Sequence, residues 1–258
     1  MARTALFILL FLGTNASLLL LGSFSAERLL LVLVLFGAGM GVQLYLLFHP
    51  RNAWLVDYRD KIEEQRCIAL TFDDGPDPVT TPRLLDLLKE KKVPATFFVV
   101  GKRAQEHPWV VQRAWREGHL IGNHTWSHSN FFCFLSPARL EREIRQNSEL
   151  IEQICGVRWR YFRSPIGLRN PWLRGALQTA GLQFISWRVR SCDTIIHDSS
   201  VLASRVLRNV RGRDILLFHD RLPSGTDVLM EILPGLIDTL RENGYEFVLA
   251  GSRDVAEA

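Results

Sequence analysis

Two long apolar runs open the chain, and a regular alternation of short apolar stretches with amphipathic ones follows. Thr4–Gly22 carries no charge, and Leu29–Phe48 is a second uncharged run. About twenty apolar residues at about 1.5 Å each cross the roughly 30 Å hydrocarbon core of a bilayer. The pattern therefore predicts a membrane anchor over residues 1–48, with helices at about 4–22 and 29–48 joined by the short connector Ser23–Arg28. Thr14, Asn15 and Ser17 interrupt the first run, which also fits the apolar part of a signal sequence. Against cleavage, another long apolar run follows at once instead of a polar mature segment. Gly37 and Gly41 have the GxxxG spacing that lets membrane helices approach, although glycine is common in such helices anyway.

Residues 49–66 are polar and read as a juxtamembrane linker. From Cys67 the expected strands are Cys67–Phe72, Ala95–Val100, His119–Asn123, Trp159–Arg163, Leu182–Trp187, Asp214–Phe218 and Tyr245–Leu249. Helices are expected over Pro82–Lys91, Pro108–Glu117, Pro137–Ile154, Pro171–Ala180, Val201–Val210 and Val228–Asn243. Thr81, Ser136 and Asn170 each precede a proline, so a side-chain cap followed by proline at the first helical position is expected at three of them. Strands alternating with crossover helices define an α/β domain with a parallel sheet, either a barrel or an open sheet, over residues 67–250, followed by a tail at 251–258.

Composition narrows the class. With 47% apolar and 22% charged residues, the 258-residue chain is not disordered. Its formal charge of +4 is scattered, which excludes a concentrated nucleic-acid footprint. Cys67, Cys133, Cys155 and Cys192 lack the spacing of a zinc cluster or a disulfide framework and read as isolated thiols. Arg3 precedes the first run, Arg28 sits in the connector, and Arg51, Arg59 and Lys61 follow the second. The positive-inside bias places both ends, and the domain after them, on the cytoplasmic face of a bacterial-type inner membrane, with a multi-pass anchor.

In parallel α/β folds the chemistry gathers where strands end at their carboxyl side. The first strand ends in Asp73-Asp74-Gly75-Pro76; adjacent carboxylates can divide the roles of metal ligand and base. The third runs into His124 and His128, four apart, a spacing that on one helical turn would aim both imidazoles at a single metal. Arg163 ends the fourth strand, where it can hold a carboxylate by a charge-assisted bond. His219 follows four apolar residues at the end of the sixth and suits a general acid, and Asp193, beyond the fifth, can orient it. His49, His107, His119 and His197 lack such a setting, and Phe131-Phe132-Cys133-Phe134 reads as a buried or membrane-facing loop.

Three of these segments, TFDDGP at Thr71–Pro76, HTWSH at His124–His128 and LFH at Leu217–His219, together with ATFFVVGK and GHLIGNHTWSH, resemble the polysaccharide deacetylase family. This is the NodB-type group, carbohydrate esterase family four, and the resemblance covers roughly residues 65–250. It implies a distorted (β/α) barrel that hydrolyses N-acetyl groups from amino sugars with a divalent metal, most often Zn²⁺, with Co²⁺, Ni²⁺ or Mn²⁺ as alternatives. By motif position it implies that Asp73 is the base, that Asp74, His124 and His128 are the metal ligands, that Arg163 tethers Asp73, and that His219 is the acid. Ile166 falls where the family supplies an oxyanion N–H, and Trp187 and Leu217 fall on the substrate side. Two positions depart from the pattern: Ile166 stands where tyrosine is common, and Arg190 where an aspartate supports the acid histidine, a role that Asp193 is then expected to take.

The expected activity is removal of N-acetyl groups from amino sugars in a glycan or on a polyprenyl-linked sugar at a membrane. The rival readings are a catalytically idle, membrane-anchored glycan-binding domain, and a deformylase or imidase acting on a smaller amide.

Overall fold

A computed structural model describes residues 2–19, 26–49, 52–221 and 228–251. Nine short strands build one sheet whose ladders are all parallel: β1 (Tyr58–Arg59), β2 (Cys67–Asp73), β3 (Ala95–Val99), β4 (Leu120–Asn123), β5 (Tyr161–Phe162), β6 (Gln183–Ile185), β7 (Val189–Arg190), β8 (Ile215–His219) and β9 (Glu246–Phe247). The path runs β1-β6-β5-β4-β3-β2-β8-β7, with β9 added to the start of β2. Among the described residues β1 and β7 do not pair, so the sheet is a curled, incompletely closed barrel. Seven of the strands fall where the apolar pattern put them; β1 and β7 do not, because no apolar run of several residues surrounds either pair.

Among the described residues, seven helices surround the sheet: α3 (Thr80–Glu90), α4 (Gly101–Glu106), α5 (Pro108–Arg116), α6 (Pro137–Cys155), α7 (Leu173–Ala180), α8 (Ser199–Asn209) and α9 (Val228–Glu242). All three expected caps differ; the third of these helices, α7, starts at Leu173 with Trp172 at its cap position, two residues beyond Asn170. Thr81 lies inside α3, its hydroxyl accepting from Asp77 N and donating to Asp220, while Asp77 receives the early amides Val79 N and Thr80 N. Ser136 precedes α6 without a side-chain cap bond. Asn170 receives Trp172 N, and its amide holds the carbonyls of Phe132 and Leu135.

Register fixes the functional rim. All seven residues of β2 are buried, and Asp73 sits opposite His219 on one side and Phe98 on the other. Val99 pairs with Asn123, and Asn123 with Phe162. Parallel pairing therefore brings Asp73, His124, Arg163 and His219, or the residues just before them, to one level at the carboxyl end of the sheet.

The N-terminal segment forms α1 (Ala2–Leu19) and α2 (Ala26–Phe48). Leu29–Phe48 is one helix long and apolar enough to cross a membrane, whereas the apolar part of α1, Arg3–Thr14, is shorter. The second crossing expected from the sequence is thus not established by length, and part of both the first run and the connector lies outside the described residues. The two helices run antiparallel: Gln43 Nε2 donates to Thr14 Oγ1 at 3.2 Å, and Phe7 clusters with Leu46 and Leu47. Their close approach is at Gly39, where a Cβ would lie 2.5 Å from Thr14 Oγ1; Gly37 and Gly41 face open space, so the GxxxG spacing is not the contact. The segment read as a linker is packed in the domain. It supplies β1 and buries Leu55, Val56 and Ile62, three apolar side chains scattered through an otherwise polar stretch.

Candidate active site

Asp73 closes β2 with its side chain 5% exposed, a burial that needs a counter-charge. Arg163 supplies it. The guanidinium is fully buried and donates to Asp73 Oδ1 at 2.8 Å, Thr71 Oγ1 at 2.7 Å and the carbonyls of Ile185 and Ser186, with Phe98 and Trp187 against its faces. Burial depresses the arginine pKa, opposed by the charge of Asp73. This bond leaves the other oxygen of Asp73 turned toward His124, 3.9 Å from its Nε2.

Asp74 follows with φ of +76°, turned by the tight chain reversal into Gly75. A Cβ on Gly75 would lie 2.1 Å from the Asp220 carboxylate, so only glycine fits there. Oδ1 of Asp74 lies 3.5 Å from His124 Nε2 and 2.9 Å from His128 Nε2. One donor atom from each of the three residues lies within 4.8 Å of the others. Donors of a tetrahedral site at about 2.0–2.2 Å from the ion stand about 3.4 Å apart, so the set fits a divalent metal. His124 Nδ1 faces the Arg163 carbonyl at 2.8 Å, which assigns the proton to Nδ1 and leaves the Nε2 lone pair for a cation. Burial would raise the Asp74 pKa, but the two imidazoles against its carboxylate hold it well below the carboxylate range.

The histidines do not share a helical turn, as their spacing suggested. They lie in a loop after β4, in which Thr125 and His128 both have positive φ. That shape is imposed from α6, a contribution the sequence reading did not include. Asn147, fully buried, donates to the carbonyls of Val99 and Thr125 and to Asn123 Oδ1, while Glu143 accepts from the N–H and hydroxyl of Ser127. Glu143 and Asn147 are one turn apart and face the loop together. The detectable signal was two polar residues on the otherwise apolar stripe of α6.

His219 closes β8. Its Nδ1 meets Asp193 Oδ1 at 2.7 Å, and its backbone N–H donates to Asp193 Oδ2 at 2.8 Å. Burial opposes charge on the ring, but the hydrogen bond and charge of Asp193, then the charges of Asp73 and Asp74, raise its pKa to about 9. Arg190, in β7, is exposed. Ile166 occupies a left-handed turn, φ 57°, and is 53% exposed. Trp187 and Leu217 are in the main core at 6% and 3% exposure and form no open wall, because each fills space beneath the rim. Asp220, fully buried behind the site, is pushed up to about 7 by burial, against the hydrogen bond from Thr81, with the charges of Asp74 and Asp73 adding to the rise. All four cysteines are free; burial pushes the Cys155 thiol up to about 12.

The parallel α/β rim thus carries two carboxylates, two imidazoles on one of them and a carboxylate-backed histidine, a donor set that suits a divalent metal. The polysaccharide deacetylase profile matches residues 60–185. The chain is 35% identical over 199 residues to a peptidoglycan-N-acetylglucosamine deacetylase of Bacillus cereus, covering 76% of this chain and 89% of the relative. It is 33% identical over 184 residues to a chitooligosaccharide deacetylase of Azorhizobium caulinodans, covering 71% and 87%. Among solved structures it is similar to a family 4 acetyl xylan esterase from Clostridium thermocellum in complex with a cobalt ion, with TM-score 0.64, 35% identity and coverage of 71% and 87%. The chain belongs to the polysaccharide deacetylase family, hydrolases of N-acetyl amide bonds.

Proposed function

We propose that the protein is a membrane-anchored, metal-dependent deacetylase that hydrolyses the N-acetyl group of an amino sugar in a glycan or on a polyprenyl lipid. The observation that carries the reading is the convergence of Asp74, His124 and His128 within 4.8 Å beside a buried, arginine-held Asp73. When bound there, a dication such as zinc lowers the pKa of a water it holds and polarises the acetyl oxygen.

The chain's own groups do the rest. Asp73, fixed through Oδ1 by Arg163, presents its second oxygen to take a proton from the attacking water. The N–H of Ile166, on its left-handed turn, meets the negative charge that develops on the acetyl oxygen. His219, protonated at neutral pH through Asp193, gives its Nε2 proton to the departing sugar nitrogen. The C–N bond breaks, and acetate and a free amine leave.

The antiparallel helices support a hairpin anchor. Arg3 near the start of α1 bonds to the Ala53 carbonyl, and Leu47 at the end of α2 accepts from Arg169 N, so both outer ends meet the domain. A hairpin places the N-terminus and the domain on one side, and Arg3, Arg51, Arg59 and Lys61 favour the cytoplasmic face.

The test is acetate release from N-acetylglucosamine oligomers by the full chain in detergent, before and after chelation and on adding zinc or cobalt. The reading predicts release that chelation abolishes and metal restores. An idle glycan-binding domain would bind the oligomer and release nothing, and a deformylase would act on formamides alone.

A further inference from the structure

Phe131 and Phe134 are 71% and 69% exposed, yet the residues between them, Phe132 and Cys133, are 0% and 5% exposed. They lie on the 3₁₀ turn at Phe132–Phe134, closed by Phe134 N donating to Phe131 O at 2.9 Å. Side chains three apart on such a turn lie one above the other, so the two phenyl rings form a single apolar face. The turn is fixed, because Asn170 holds both the Phe132 and Leu135 carbonyls. A rigid loop with two exposed phenyls beside two buried residues is an uncommon use of surface.

Its location identifies what covers it. Cys133 packs in one cluster with Phe7 of α1, Leu46 and Leu47 of α2, and Leu55. Leu46 lies within the apolar span Leu29–Phe48. The loop therefore reaches the level at which the helices are already apolar, and Phe131 and Phe134 flank the residue that makes that contact. We propose that this turn inserts its two phenyl rings into the headgroup–acyl boundary of the bilayer that the helices enter. It would hold the mouth of the active site at the membrane surface. His128, a proposed metal ligand, is three residues from Phe131, so at about 3.3–3.6 Å per residue their Cα atoms lie within about 11 Å of one another. The substrate this arrangement suits is an amino sugar presented at the membrane, on a lipid carrier, over one on a distant polymer. The proposal rests on the anchored reading above.

The test uses the full chain reconstituted in phosphatidylcholine–phosphatidylglycerol vesicles. In Phe134→Trp, the added emission should be quenched by phosphatidylcholine brominated on its upper acyl carbons and protected from aqueous iodide. Quenching by iodide and not by bromine would overturn the insertion. Phe131→Ser/Phe134→Ser, which alters only exposed side chains, should keep its rate on soluble N-acetylglucosamine oligomers and lose rate on a polyprenyl-linked N-acetylglucosamine in the same vesicles. Equal rates for parent and variant on the lipid-linked sugar would refute the positioning role. Parent protein stripped from vesicles by alkaline carbonate would remove the anchor itself, and the insertion with it. Loss of deacetylation on both substrates would count against the proposed function and leave the quenching result standing.

Discussion

Replacing Asp193 with asparagine removes the charge behind His219 while keeping nearly the same volume. In the parent, Asp193 spends both oxygens on one residue, at 2.7 Å to the ring and 2.8 Å to the backbone N–H. The ring's pKa is raised to about 9 from the ordinary histidine value of about 6.5, with burial working the other way. At about 1.36 kcal/mol for each tenfold change in proton affinity, that gap is about 3 kcal/mol in favour of the protonated ring. Asp193 supplies its largest favourable part, and a cation at Asp74 would offset some of the remainder. Without the charge, burial dominates and the ring should titrate near or below 6.5. The alkaline limb of kcat/KM for deacetylation should therefore move from near 9 toward 6.5. The sign on stability follows from the same shift. A raised folded-state pKa contributes stability fully present below the unfolded value of about 6.5 and lost as pH rises through about 9. Thermal unfolding of the parent should thus lose midpoint across that window, and Asp193→Asn should be flatter there. Paired pH–rate and pH–melting series on the two proteins decide it. An unmoved alkaline limb in Asp193→Asn would refute the orienting role of this carboxylate.

Arg163→Ala leaves Asp73 buried without its partner and strands the Ile185 and Ser186 carbonyls; it should cost about 3–5 kcal/mol by urea unfolding. Asn147→Ala removes the side chain that holds the loop carrying His124 and His128, so metal affinity should fall about 10–100-fold in a chelator competition, with far-ultraviolet dichroism unchanged. Arg190→Ala, on an exposed side chain, should leave the alkaline limb of the rate profile in place or raise it slightly.

What the sequence disclosed and what it withheld divide along physical lines. Long buried strands such as Cys67–Asp73 announce themselves as apolar runs, and the residues that follow them, Asp73, Asp74, Arg163 and His219, are polar where the run stops. The pairing of Asp193 with His219 was legible because only one carboxylate follows the fifth strand closely. The strands Tyr58–Arg59 and Val189–Arg190 were not, since neither sits in an apolar run long enough to show a period. Nor was the conformation of the His124–His128 segment. Its left-handed residues are set by Asn147 and Glu143, which are distant in sequence and reach the loop only once α6 has packed. Gly39 in place of Gly37 and Gly41 makes the same point for the helix pair: spacing gives a candidate face, and the facing Thr14 and Gln43 decide which face is used.

In the proposed mechanism Asp74, His124 and His128 hold the metal, and Asp73 is the separate carboxylate that takes the proton. Bound-metal stoichiometry measured together with acetate release, on Asp73→Asn and His128→Ala, tests that division most directly. Asp73→Asn should keep one equivalent of metal and lose most turnover, because it removes a proton acceptor and little else. His128→Ala should lose both metal and turnover. Full metal in His128→Ala, or turnover within a few-fold of the parent in Asp73→Asn, would contradict that division.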